Sequence, residues 1–159
     1  MQPDGTSLRR TLHAESEALA AFITLLRDEQ QALVRGELES LSAFAESKNI
    51  CLFELSRLGE QRLQWLRSRG LPANRAGVEQ LLRDHAGAAA QARDAWRKVL
   101  DLTQTAQQLN DTNGGLIGSR LSGTQRALGA LFSTSNIGGA YTSNGSTVCF
   151  RPAQTLAVA

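Results

Sequence analysis

Residues 6–41 read TSLRRTLHAESEALAAFITLLRDEQQALVRGELESL, and this stretch decides the fold class. Its large apolar residues recur at spacings of three, four or seven with polar residues between them: Leu8, Leu12, Leu19, Phe22, Leu26 and Leu33. This period is typical of an amphipathic helix with one buried face. Gly36 is suited to a left-handed C-cap, and helical periodicity resumes directly after it. The stretch therefore predicts two antiparallel helices joined by a very short turn.

The pattern predicts three helices in all, at about residues 6–34, 37–69 and 75–132. The second ends where glycine caps and proline interrupts, at Gly70-Leu71-Pro72. Asn74 is a candidate N-cap for the third helix. The apolar stripe of that helix continues through Gly114-Gly115, where we expect a kink or fraying because each glycine costs about 1 kcal/mol in a helix interior.

The lengths of these helices do not match. At about 1.5 Å per residue the first two would span about 42 and 50 Å, whereas residues 75–132 would span about 87 Å. A hairpin of the first two helices cannot cover a third one of that length. We therefore expect the apolar stripe of residues 113–132 to be an uncovered surface that binds a partner or a second copy of the chain.

Residues 133–159 differ in composition from the rest of the chain. They are rich in Gly, Ser, Thr and Asn, and the chain has no acidic residue from residue 113 onward. We expect a helical domain at 1–132 followed by a flexible tail at 133–159. Within the tail, residues 141–148 resemble a strand–turn–strand hairpin, which would be marginal in water by itself. Tyr141 is the only tyrosine, and no core pattern explains it, so it is a candidate anchor for a partner.

The composition excludes several classes of protein. The 159 residues are 42% hydrophobic and 20% charged with a formal net charge of +2, which is typical of a soluble globular chain. No apolar run is long enough to span a membrane, and the first ten residues lack the apolar core of a signal peptide, so we expect a cytoplasmic location. Three arginines after residue 112 are too sparse for a nucleic-acid footprint. Cys51 and Cys149 are isolated, which supports neither a metal site nor a disulfide framework.

Two partial enzyme motifs lack their essential partners. His13-Ala14-Glu15 matches half of a deaminase signature, but the P-C-x-x-C half is absent. The glycines from Gly118 to Gly123 have the spacing of a phosphate-binding loop, yet Thr124 stands where the lysine belongs. His85 falls on the apolar stripe and is expected to pack there. We therefore predict no catalytic activity and no cofactor.

Two runs near the end of the chain are the most specific motifs. Residues 110–117 have the pattern N-x-x-N-G-x-L-I, and Tyr141-x-x-x-Gly145 follows in the tail. Together with the helical patterns from residue 8 onward, with Arg35-Gly36-Glu37-Leu38 and with Gln125-Arg126-Ala127-Leu128, they cover residues 8–148. In these features the chain resembles the flagellar secretion chaperones of the FlgN family.

This resemblance implies a cytoplasmic chaperone that binds the C-terminal helical regions of the hook–filament junction proteins FlgK and FlgL. It would keep them monomeric and deliver them to the type III export gate, docking on the cytoplasmic domain of FlhA. Tyr141 would be the gate-docking residue. The client-binding residues would be Asn113, Leu116, Ile117, Leu121, Gln125, Leu128, Leu131 and Phe132. The charge distribution and the absence of a long apolar run predict no nucleic-acid partner and no stable membrane insertion. The alternative is a structural helical-bundle protein that forms a homodimer through the same stripe.

Overall fold

A computed structural model describes residues 5–84 and 90–135, with side chains for 7–84 and 90–131. All of their regular structure is helical, as the fold class predicted. The elements are α1 (Gly5–Arg35), a 3₁₀ turn (Leu38–Ser40), α2 (Leu41–Arg67), α3 (Arg75–Asp84) and α4 (Ala90–Ser135). Residues 133–135 of the predicted tail, 133–159, belong to α4. The predictions for His85, for the rest of the tail and for Tyr141 within it lie outside the described residues.

The turn between α1 and α2 is the glycine-capped one that the sequence predicts. Gly36 has a φ of 80°, in the left-handed region. Its N–H donates to the carbonyl of Leu33 at 3.2 Å, and the next N–H, of Glu37, donates to the carbonyl of Ala32 at 3.0 Å. These two bonds form a Schellman motif, which satisfies carbonyls that the end of a helix otherwise leaves open. The chain then reverses, so that α2 runs antiparallel to α1.

The predicted stripe of α1 is the centre of the core. All six of its large apolar residues are buried, with Leu12 and Leu26 at 0% exposure. All of them except Leu33 pack in one cluster with residues of the other helices: Leu66 of α2, Val78 and Leu82 of α3, and Ala92, Trp96, Val99 and Ala106 of the first half of α4. The stripe of α2 is less completely covered, since Leu58 and Leu66 are buried but Leu52 is 49% exposed.

The segment between α2 and α3 turns tightly. The Oδ1 atom of Asn74 accepts a hydrogen bond from the N–H of Gly77 at 3.2 Å, so Asn74 caps α3 as predicted. A Cβ atom on Gly77 would lie 1.9 Å from the carbonyl oxygen of Pro72. Only glycine therefore fits at position 77 without moving the backbone.

The range predicted as a single helix, residues 75–132, does not form one straight helix: α3 ends at Asp84, α4 begins at Ala90, and residues 85–89 lie outside the described residues. The Arg93 guanidinium donates to the main-chain oxygen of Leu82 at 2.8 Å. In one straight helix, eleven residues correspond to a rise of about 16 Å, which is farther than an arginine side chain extends. The apolar period stays in phase from Val78 and Leu82 to Ala92 and Trp96, which is why the pattern reads as one helix.

Helix α4 continues through Gly114 and Gly115 without interruption, so the fraying expected at this pair is not present. Contacts divide the chain into two compact units, Met1–Ile117 and Gly118–Ala159. The first unit contains the core described above. In the second unit, the part with described side chains is residues 118–131 of α4, which we call the distal segment.

Candidate functional site

The distal segment carries most of the predicted client-binding residues, and they are exposed. The exposed fractions of Leu121, Leu128 and Leu131 are 60%, 48% and 66%. Gln125 is exposed between them. Their spacing of four, three and three residues places them on one face of the helix. The distal segment also contains Arg120 and Arg126 and no acidic residue. The distal segment thus combines an apolar stripe with a net positive charge.

Leu116 and Ile117, the other apolar residues predicted for this surface, belong to the first unit and are half-buried. The backbone of Phe132 is helical, but its side chain lies outside the described ones. The structure thus brings Leu121, Gln125 and Leu128 together on an open face. Leu116 and Ile117 are less exposed than these three residues.

Asn113 does not belong to an exposed surface. It is 0% exposed. Its Nδ2 atom donates to the main-chain oxygen of Leu26 and to Oε2 of Glu29, both at 2.8 Å. In this conformation Asn113 joins α4 to α1 and cannot contact a partner. The prediction that Asn113 binds the client is corrected accordingly, because a buried side chain with two internal hydrogen bonds stabilises the fold.

Two buried carboxylates of α1 are paired with cations of α2. Lys48 Nζ lies 2.7 Å from Oε1 of Glu29, whose side chain is 2% exposed. Arg62 Nε lies 3.1 Å from Oε1 of Glu15, whose side chain is 6% exposed. Fourteen residues separate the carboxylates along α1 and the cations along α2, in opposite order. The pairs therefore fix the antiparallel register of the hairpin.

Sequence reasoning missed both carboxylates as structural residues, although the sequence contains the signal. Glu15 lies midway between Leu12 and Leu19, and Glu29 lies midway between Leu26 and Leu33. At these points the apolar stripe advances by seven residues, and each glutamate fills the empty core position of a regular 4-3 repeat. A charged residue at such a position needs a buried partner, because an unpaired buried charge is costly.

The ion pair of Glu15 with Arg62 has poorer hydrogen-bond geometry than the ion pair of Glu29 with Lys48. Its two nearest atoms, Glu15 Oε1 and Arg62 Nε, are buried and too poorly aligned for a hydrogen bond. The Arg62 guanidinium lies over the Trp96 ring, 5.1 Å from its centroid, and the Trp96 Nε1 atom is buried without a partner. Burial raises the pKa of Glu15, and the positive charge of Arg62 opposes that rise.

An open groove of about 540 Å³ begins at this polar cluster. Its floor is α1, with Glu15, Leu19 and Phe22, and its walls are α2 and α4. Apolar side chains, including Leu52, Leu55, Leu63, Val99 and Leu100, form much of the lining. The volume lies in the range of about 300–1,000 Å³ that is usual for a binding site. Sequence reasoning gave no sign of this groove, because it depends on α2 and α4 remaining apart.

The described residues contain no group of three or more His, Cys, Asp or Glu side chains that could hold a metal ion. Among the helices as far as they are described, none is both long and apolar enough to cross a membrane. Of the two cysteines, Cys51 is within the described range, where it is half-buried with a free thiol. The first unit has the open groove, and the distal segment has the exposed apolar stripe.

Comparison with known proteins identifies one family. Residues 1–148 match the family model described as FlgN protein. A crystal structure from Pseudomonas aeruginosa, whose description is flagella synthesis protein FlgN, superposes with a TM-score of 0.61 at 26% sequence identity. The match covers 77% of this chain and 95% of that one. No curated protein sequence matches the chain.

Proposed function

The chain belongs to the FlgN family of flagellar chaperones and has a role in flagellar assembly, and we propose that it binds the C-terminal helical regions of FlgK and FlgL in the cytoplasm. The observation that carries the proposal is the exposed stripe of the distal segment, with Leu121 and Leu128 on one helix face. A client helix that is apolar on one face can cover this stripe and lose its own tendency to assemble early.

The composition of the distal segment suits binding that must later be reversed. Its apolar side chains supply the contact area, whereas Gly118, Gly123 and Gly129 lower its helix propensity. A segment whose helix is intrinsically weak loses part of its binding energy in ordering, so its complexes dissociate more readily. Delivery to the export gate requires such a release.

A titration of purified FlgK and FlgL with the full-length chain tests this proposal. Leu128→Asp should weaken client binding at least thirtyfold, about 2 kcal/mol, because a carboxylate would be buried in the contact. The melting temperature should not change, since Leu128 is half exposed in the free chain. Leu121→Asp should behave in the same way.

Ser119→Asp is the matched control for these variants. It adds the same charge to the distal segment, but about 160° around the helix from Leu121, and it should leave the affinity unchanged. The proposal is wrong if Ser119→Asp and Leu128→Asp bind the client equally well. If Leu128→Asp instead abolishes self-association seen by light scattering in the absence of any client, the chain is the structural dimer of the alternative hypothesis.

We further propose that Tyr141 docks the loaded chaperone on the cytoplasmic domain of FlhA. The support is the resemblance of Tyr141-x-x-x-Gly145 to the family pattern and the position of Tyr141 nine residues after Phe132, outside the client stripe. Tyr141→Ala should weaken docking of the complex by about 2 kcal/mol and leave client affinity unchanged. Tyr141→Phe separates the contribution of the ring from that of the hydroxyl. Indistinguishable titration curves for wild type and Tyr141→Ala would exclude this role.

A further inference from the structure

The groove in the first unit has the shape of a missing helix. The side chains that line it from α4 recur at helical spacing from Trp96 through Leu100, Thr103 and Gln107 to Asn110. Fourteen residues of helix correspond to about 21 Å, or four turns. The wall from α2, between Leu52 and Leu63, has the same periodicity. Two helical walls over a helical floor form three sides of a four-helix arrangement, and the fourth position is empty.

The lining favours the apolar face of a helix over other ligands. An extended strand would need unpaired main-chain groups at an edge, whereas the walls here present helix side chains. A small molecule would occupy only part of the groove, whereas its α4 wall extends over four helical turns from Trp96 to Asn110. The volume of about 540 Å³ admits the side chains of one helix face, while the helix backbone would stay outside.

The charge of Asp111 at one end of the groove suits one orientation of such a helix. Asp111 lies at the end near the Asn113 link, and Arg75, at the start of α3, lies at the end near Glu15 and Trp96. A helix N-terminus carries partial positive charge and a C-terminus partial negative charge. Arg75 is already paired with Glu79 at 2.6 Å, so the charge that decides the orientation is that of Asp111, which favours a helix with its N-terminus toward it. This orientation is antiparallel to α4 and parallel to α2.

We propose that this groove is a second client site, which takes the apolar face of an amphipathic client helix of about four turns, antiparallel to α4. The inference rests on the proposed chaperone function and adds a contact on the first unit to the one on the distal segment. Leu52, Leu55, Leu63 and Leu100 supply the apolar contact. Glu15, Arg62 and Trp96 form the polar end of the site, where Glu15 Oε1, Arg62 Nε and Trp96 Nε1 are already buried without a hydrogen-bond partner.

Two neighbouring residues of α2 provide a matched pair of variants. Leu52 lines the groove and is 49% exposed, whereas Phe53 is 75% exposed and does not line it. Leu52→Glu should weaken binding of the C-terminal helical region of FlgK at least tenfold. Phe53→Glu adds the same charge one residue away and should leave the affinity unchanged. Because both side chains are largely exposed, each variant should have the melting temperature of the wild type.

The indole N–H signals of the two tryptophans report directly on the groove. Trp96 lines it and Trp65 does not, and Trp65→Phe assigns the two signals in a ¹⁵N spectrum. Addition of the same FlgK region to the wild-type chain should shift the Trp96 signal and not the Trp65 signal. The shift should persist in Phe53→Glu and be lost in Leu52→Glu at matched concentrations.

The outcomes separate this inference from the proposed function. If the client binds the wild type while Trp96 does not shift and Leu52→Glu binds normally, the groove is not a client site and the chaperone function stands. If the client binds neither the wild type nor Phe53→Glu, the proposed function itself fails. A Trp96 shift that grows with protein concentration in the absence of client would show that a second copy fills the groove, which also overturns the inference.

Discussion

Two parts of helix α4 have the same apolar period and opposite environments. In its first half, Trp96 and Val99 are 6% and 5% exposed and pack on α1. In the distal segment, Leu121 and Leu128 are 60% and 48% exposed. A helical period shows that a face is apolar, but it does not show what covers that face. The first half stabilises the fold, whereas Leu121 and Leu128 of the distal segment remain exposed to solvent.

The sharpest test of this comparison is the cost of removing a leucine from each kind of surface. Leu26→Ala should lower the free energy of unfolding by about 3 kcal/mol, because Leu26 is fully buried and a cavity would remain. Leu128→Ala should lower it by less than about 0.5 kcal/mol. Urea denaturation followed by circular dichroism measures both. Equal losses would mean that the distal segment is covered in the free chain.

The polar residues of the stripe divide in the same way. Asn113 is buried and bonded to α1, whereas Gln125 is exposed twelve residues further along. Asn113→Ala should destabilise the chain by about 2 kcal/mol, because the Leu26 carbonyl and the Glu29 carboxylate lose a buried donor. Gln125→Ala should not affect stability. Thermal melts of the two variants measure these effects. If Asn113→Ala lowers the client affinity without lowering the stability, Asn113 contacts the client after all.

The glycines give a third contrast, because glycine-to-alanine substitution should change the stability in opposite directions at two positions. Gly77→Ala should destabilise the chain by at least about 1 kcal/mol, since its Cβ atom would overlap the Pro72 carbonyl. Gly114→Ala should stabilise it by about 1 kcal/mol, because a Cβ atom there meets nothing within 4 Å and alanine favours the helix. The same melts measure both. A destabilised Gly114→Ala would show that this position needs glycine for a reason other than space.

The sequence predicted the parts of the fold that depend on local chemistry. The stripe of α1, the Gly36 turn and the Asn74 cap each follow from residues within a few positions of one another, and all three are confirmed. The division between α3 and α4 was missed, because the apolar period keeps its phase from Leu82 to Trp96 and so hides a change of direction.

The site was predicted less completely, for a related reason. The exposure of Leu121 and Leu128 followed from a mismatch of helix lengths, which is a sequence quantity. The burial of Asn113 depends on which residue of α1 lies opposite it, and the groove depends on the separation of α2 from α4. Both are properties of packing between distant parts of the chain. Glu15 and Glu29, at core positions of α1, were the sequence signal that buried polar side chains pair between helices.

The smallest expected effect concerns the ion pairs at Glu15 and Glu54, which differ in burial. Burial raises the pKa of Glu15 above its usual value of 4.5, so the folded chain holds this proton more tightly than the unfolded chain does. Stability from this group therefore falls as the pH rises from 4.5 through the raised pKa.

The exposed Glu54 shows the opposite pH dependence, because its hydrogen bond with Arg57 lowers its pKa. The stability that Glu54 contributes is therefore lost as the pH falls through that lowered pKa. Unfolding free energies measured between about pH 3 and about pH 7, a range that includes the usual carboxyl pKa, should show Glu15→Gln becoming more stable relative to the wild type as the pH rises, and Glu54→Gln as the pH falls. Parallel curves for Glu15→Gln and the wild type would mean that Arg62 fully offsets the cost of burying Glu15.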